Sequence, residues 1–189
     1  MQRSRLGLFG GTFDPPHLGH VAALEAAIAT NRFDRIVVTV AGDPYVKSAN
    51  HPVSPAGLRL KMAEAAFSSF TQVEVSRIEI ERTGPSYTID TVNALSKEAS
   101  SIDLIMGADL APTLPSWHHA EALREMVSIG IVPRPGQEIE VPTGWRWYEI
   151  PMDPVDLSSS FIRAGAQNPL DLAKFLPEAV IPLYSPTDR

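Results

Sequence analysis

The sequence predicts an α/β fold: a doubly wound, mostly parallel sheet with helices on both faces, gathered in a single domain over residues 1–189. Three observations predict it. Apolar, β-branched runs alternate with helical periodicities through most of the chain. The run Arg35-Ile36-Val37-Val38-Thr39-Val40-Ala41 is apolar on both faces, which suits a strand buried inside a parallel sheet. No repeat or linker divides the 189 residues, a length at which folding hides roughly 70% of the unfolded chain's surface.

Taken in order, Leu6 to Phe9 form a first strand that ends at the turn-forming pair Gly10-Gly11. A helix opens near Leu18, with Val21, Leu24 and Ile28 at i, i+3 and i+7. With the run at 35–41 this completes one βαβ unit. Residues 42 to 55 hold three prolines and a glycine and read as a loop, after which Leu58, Met62 and Ala65 mark a second helix. Val73, Val75, Ile78 and Ile80 belong to the next strand-rich stretch, and Ile89, Val92 and Leu95 to a helix beginning near Ser86 or Tyr87. Ile102 to Met106 and Met126 to Val132 read as strands flanking short helices. Residues 156–189 form a C-terminal helical portion, with Phe161, Ile162 and Arg163 on one short helix and another turn or two between Leu170 and Leu176. Prolines make up roughly 9% of the chain, nearly twice the usual ~5%, and fall between elements, so the loops are stiffened. A Rossmann-like sheet of this kind binds ligands beyond the carboxyl ends of its strands.

Composition excludes several classes of function. There is no cysteine, which removes thiol nucleophiles, disulfides and Cys-ligated metals. A formal net charge of −6, from 16 Lys+Arg against 22 Asp+Glu, disfavours a protein that coats nucleic acid or an anionic membrane. No apolar run approaches the roughly 20 residues that span a bilayer, and Met1 to Arg5 lack the features of a signal peptide. The expectation is a cytoplasmic protein, with homo-oligomers left open.

The richest segment is Gly10-Gly11-Thr12-Phe13-Asp14-Pro15-Pro16-His17-Leu18-Gly19-His20, between the first strand and the first helix. It matches neither G-x-x-x-x-G-K-[ST] nor G-x-G-x-x-G, yet glycines before a helix start let an anion approach backbone amides. His17 and His20, three apart, project to one side and can donate to phosphate oxygens. Asp14, before Pro15, reads as a turn former.

This segment resembles the G-x-F-D-P-x-H-x-G-H signature of the HxGH nucleotidylyltransferase superfamily, and the whole chain resembles bacterial nicotinate-mononucleotide adenylyltransferases. The resemblance implies that Gly10, Gly11, Thr12, Phe13, His17 and His20 bind the ATP triphosphate, the imidazoles stabilising charge as pyrophosphate leaves. Ser158-Ser159-Ser160-Phe161-Ile162-Arg163 is similar to the family's I-S-S-T-x-I-R element, with Leu157 and Ser160 in place of Ile and Thr. It implies phosphate contacts from Ser159 and Ser160 and a catalytic charge on Arg163. Pro85-Ser86-Tyr87-Thr88-Ile89-Asp90-Thr91 and Gly107-Ala108-Asp109 with Ser116-Trp117 resemble elements of the nicotinate-nucleotide branch. By that likeness Thr88 and nearby amides meet the pyridine carboxylate, Trp117 stacks on the ring, Asp109 helps hold a ribose, and Gly107 and Asp109 belong to the ATP-binding residues. Lys47 and Arg134 resemble further substrate-binding residues, although Asp43-Pro44-Tyr45-Val46 and the extra Pro135 depart from the usual pattern. The adjacent His118 and His119 diverge on a helix and are left out as metal ligands.

The implied reaction joins ATP to nicotinate mononucleotide, giving deamido-NAD and pyrophosphate. Mg2+ would be held mainly by ATP phosphates, with no protein metal ligand. A phosphopantetheine-type adenylyltransferase, a nucleotide-binding module without turnover, and a fragment of a tRNA-charging synthetase stand as alternatives.

Overall fold

In the computed structural model, which describes residues 4–44, 53–165 and 169–185, the first βαβ unit runs β1 (Arg5–Gly11), α1 (Leu18–Ala29) and β2 (Arg35–Val40). There follow α2 (Ala56–Phe67), β3 (Val73–Ser76), α3 (Thr88–Leu95) and β4 (Ser101–Gly107). A 3-10 turn at Ala111–Ser116 leads to α4 (Ala120–Met126), β5 (Val127–Val132) and the short β6 (Trp147–Glu149). The chain continues through α5 (Ser159–Gly165), α6 (Pro169–Leu172) and a 3-10 turn at Glu178–Leu183.

The six strands are ordered β3-β2-β1-β4-β5-β6, and every neighbouring pair is parallel. The chain winds outward from β1 to β3, then starts again on the other side of β1 at β4. This reversal opens a crevice at the carboxyl ends of β1 and β4, where doubly wound sheets bind ligands.

Strand alternation sends side chains to two cores, one on each face. Phe9, Ile36, Val38 and Ile105 join Leu24 and Ala27 of α1, Leu60 and Phe67 of α2, and Val180 near the carboxyl end. Leu6, Leu8, Val37, Leu104 and Met106 join Ile89, Val92 and Leu95 of α3 and Leu123 of α4. Successive residues on β1, β2 and β4 therefore enter opposite cores, which is why these strands read as continuous apolar runs. No helix among the described residues is long and apolar enough to cross a membrane.

Three local expectations change. β1 continues through Gly10 and Gly11, which pair with Thr39 and Val40, so the turn falls instead on Thr12 to Pro16, with Phe13 at φ 50°. Parallel pairing to β2 holds the two glycines extended. Ile78 and Ile80 lie beyond β3 in a turn closed by the Ile80 and Glu81 amides on the Arg77 carbonyl. The sequence pattern does not announce β6 or the Glu178–Leu183 turn: β6 is a three-residue edge strand with an exposed Trp147, and the turn contains Pro182.

Candidate active site

Beyond the ends of β1 and β4 lie four adjoining cavities, and Thr12 lines all of them. The polar one, about 280 Å³, has His17, His20, Arg134, Ser160 and Arg163 on its wall. A second, about 220 Å³, runs between Gly10-Gly11 and the β4–β5 ends, bordered by Phe9, Met106, Val132 and Met152. The largest, about 510 Å³, faces the other way and is bordered by Tyr87, Thr88, Leu110, Trp117 and His118. A fourth, also about 220 Å³, undercuts it between Gly11, Glu79, Thr88 and Trp117.

The imidazoles of His17 and His20 stack with centroids 3.7 Å apart. The fold fixes both. His17 is the N-cap of α1 and only 1% exposed, and its backbone N–H donates to His20 Nδ1 at 3.1 Å. The Phe13 ring meets His20 edge-on, 5.0 Å away. A Cβ on Gly11 would come within 2.7 Å of that Phe13 ring, so only glycine leaves room for this turn. Burial first, and the charge of Arg134 second, pull the His17 pKa from 6.5 down to about 4, so the ring is neutral at pH 7. Its Nδ1 is buried without a protein partner.

The helix start offers these rings more than its amides. Leu18 N–H already donates to Phe175 O at 2.8 Å, and His20 N–H to His17 O at 2.8 Å. These two amides are thus engaged within the protein, and fewer are open to an anion than at a bare helix N-terminus.

The carboxyl-terminal helix α5 is tied to the same turn. Ser159 Oγ donates to Pro15 O at 2.8 Å, and Arg163 donates to Asp14 O at 2.8 Å and to Ser160 Oγ at 3.1 Å. Ser158 caps the helix, its Oγ accepting from Phe161 N–H at 3.1 Å. On the opposite wall Arg134 pairs with Asp109 at 3.3 Å and donates to Leu157 O at 3.3 Å. A Cβ on Gly107 would strike Asp109 Oδ1 and stand 3.0 Å from Arg134 Nε, so the pair needs glycine there.

A model of the cytidylyltransferase-like family matches residues 8–165. A probable nicotinate-nucleotide adenylyltransferase of Gemmatimonas aurantiaca is 34% identical over 186 residues, covering 93% of this chain and 87% of that protein. One from Bordetella petrii is 35% identical over 185 residues, covering 93% of each. The chain belongs to the nicotinate-nucleotide adenylyltransferases, within the cytidylyltransferase-like family. The Plasmodium falciparum nicotinic acid mononucleotide adenylyltransferase complexed with APC superimposes with a TM-score of 0.74 at 17% identity, covering 95% of this chain and 94% of that one, and shares the fold.

Against that family assignment, the residues singled out by sequence divide cleanly. Gly10, Gly11, Phe13, Gly107 and Asp109 border the cavity at the β4–β5 ends, while Ser159 and Ser160 join the histidines on the polar wall. Thr88 and Trp117 share the largest cavity, where Trp117 Nε1–H donates to Thr113 Oγ1 at 2.9 Å. Arg134, grouped by sequence with Thr88 and Trp117 as substrate-binding, stands on the polar wall with His17 and also borders the cavity at the β4–β5 ends. Lys47 lies outside the described residues. Sequence reasoning missed Leu110 and Thr113 of the largest cavity, gave Tyr87 no role of its own within the element at 85–91, and left out His118, which stacks on Tyr87 at 4.0 Å. For Tyr87 and His118 the available signal was their position next to Thr88 and Trp117, and for Leu110 and Thr113 their place between Asp109 and Trp117.

Proposed function

We propose that this chain transfers the adenylyl group of ATP to nicotinate mononucleotide, giving deamido-NAD and pyrophosphate, and that its cavities divide the two substrates between them. The observation that carries this reading is the meeting of a polar cavity, with stacked His17 and His20, and a large aromatic cavity at one residue, Thr12. ATP takes the polar cavity and the one at the β4–β5 ends. The pyridine nucleotide takes the largest.

The acceptor's phosphate oxygen attacks the α-phosphorus of ATP. A new P–O bond forms as the bond to the bridging oxygen breaks, and pyrophosphate leaves with that electron pair. No protein nucleophile takes part, so catalysis rests on positioning and charge. His17 and His20 donate N–H bonds to the departing phosphates. Arg163, and Arg134 across the cavity, add positive charge, and Ser160 adds a hydroxyl. Ser159 serves chiefly by holding α5 on Pro15.

On the acceptor side Trp117 stacks on the cationic pyridine ring, and Thr88 at the start of α3 faces its carboxylate. Lys47 remains assigned to substrate phosphate. Mg2+ would be held mainly by the ATP phosphates and would supply neutralising charge there. The acids bordering the polar cavity are already engaged, Asp14 by Ser54 N–H and Asp109 by Arg134, which fits an ion held by phosphate oxygens rather than by protein ligands. We place the enzyme in the cytoplasm, with small nucleotides as its partners and neither nucleic acid nor membrane among them.

Pyrophosphate release from ATP, measured with nicotinate mononucleotide, its amide analogue and phosphopantetheine, tests the proposal. Release dependent on the nicotinate nucleotide is expected. Release only with phosphopantetheine, or with no acceptor at all, would overturn it.

A further inference from the structure

Arg59, on α2, is 1% exposed, an unusual place for a guanidinium. A buried charge is costly unless its donors are satisfied, and here they are met by three separate segments. Nε donates to Ser54 O at 2.8 Å, and the two terminal nitrogens donate to Thr12 O at 2.9 Å and Gly42 O at 3.3 Å. Asp14, itself 2% exposed, supplies the opposing charge and accepts from Ser54 N–H at 3.3 Å. Burial pulls the Arg59 pKa down from its usual value, and Asp14 works against that.

Two of the three carbonyls lead directly to the cavities. Thr12 borders every one of the four. Gly42 donates its N–H to Ser86 Oγ at 2.9 Å, and Ser86 borders the largest cavity next to Thr88. The Arg59 fork therefore joins the phosphate turn to the wall of the acceptor cavity. A methionine would fill similar volume without the desolvation cost, but it would hold neither carbonyl.

We propose that Arg59 is a positioning residue that sets the spacing between the phosphate turn and the acceptor wall, keeping the attacking oxygen in line with the α-phosphorus. It touches neither substrate. The inference rests on the adenylyl-transfer reading above.

The test compares Arg59→Met, Arg59→Lys and a control, Leu60→Ala, which removes a neighbouring core side chain that borders none of the four cavities. For each, kcat, both KM values, ATP affinity by calorimetry and Tm are measured. A misalignment of about 1 Å is worth about 100-fold in rate. Arg59→Met should therefore lose about 100-fold in kcat while ATP affinity stays within about threefold. Lysine keeps the charge but lacks the planar fork, so Arg59→Lys should fall between, about tenfold below wild type. Leu60→Ala should lower Tm with kcat within about twofold of wild type.

Wild-type kcat in a folded Arg59→Met variant overturns the proposal. So does a loss in Leu60→Ala that tracks Tm as the Arg59→Met loss does. Should Arg59→Met fail to melt cooperatively, Arg59→Lys decides, and a kcat within twofold of wild type sinks the idea. A wild-type chain inert with every acceptor defeats the functional reading and this one with it. An active wild type with an indifferent Arg59 defeats this one alone.

Discussion

The polar and the largest cavities meet at Thr12 but are built on opposite principles. The polar wall carries two imidazoles, two guanidiniums and two carboxylates, and its guanidiniums are tied to neighbouring side chains and to the backbone by hydrogen bonds of 2.8 to 3.3 Å. The largest cavity has no Asp, Glu, Lys or Arg among the described residues on its wall; its groups are Tyr87, Trp117, His118, Leu110 and a few hydroxyls. On the proposed reading, charge is concentrated where bonds change, and shape where a planar ring is recognised. Damage to the first should slow turnover, and damage to the second should weaken acceptor binding.

The largest break in that contrast comes from the histidines. His17→Ala and His20→Ala should each lower kcat by about 10² to 10³-fold, as loss of one transition-state donor does elsewhere, with the KM for ATP changed only a few-fold. Unchanged kcat in both variants would remove them from the mechanism.

The buried His17 also makes stability depend on pH. Its pKa is about 4 in the folded chain against 6.5 when unfolded. Between those values the unfolded chain binds a proton that the folded chain does not. Stability is therefore whole above about pH 6.5 and declines as pH falls toward 4, by up to about 3 kcal/mol. Denaturant midpoints from pH 7.5 to 4.5 should show a steeper fall for wild type than for His17→Gln. Parallel curves would mean that the ring is not held neutral.

On the aromatic side, Trp117→Ala should raise the KM for nicotinate mononucleotide about tenfold, the worth of one ring stacked on a cation. Its kcat and the KM for ATP should stay within about threefold. A kcat loss as large as that of the histidine variants would erase the division of labour. Smallest of all, Arg35→Ala removes exposed ion pairs to Glu74 and Glu98 far from both cavities. It should change stability by less than about 1 kcal/mol and leave the kinetics alone.

Where alternation was simple, the sequence was enough. The runs at 35–41 and 102–106 are apolar on both faces because each strand feeds two cores, so β2 and β4 were legible from composition. The His17–His20 pair was legible because three-residue spacing at a helix start places two side chains together. Other features depended on distant partners. Gly10 and Gly11 read as a turn, yet pairing with Thr39 and Val40 keeps them in β1. That Arg134 shares a wall with His17 and His20, 114 or more residues away in sequence, could be read only from the folded chain. Arg59 gave no signal at all: its neighbours in sequence mark an ordinary amphipathic helix, and its three acceptors lie 5, 17 and 47 residues away.

The most direct measurement is a crystal structure with a non-hydrolysable ATP analogue and nicotinate mononucleotide. The β- and γ-phosphate oxygens should lie about 3 Å from ring nitrogens of both His17 and His20, with the pyridine ring against Trp117. Phosphates lodged elsewhere, with the two imidazoles in contact only with protein, would contradict the assignment of that cavity and the mechanism built on it.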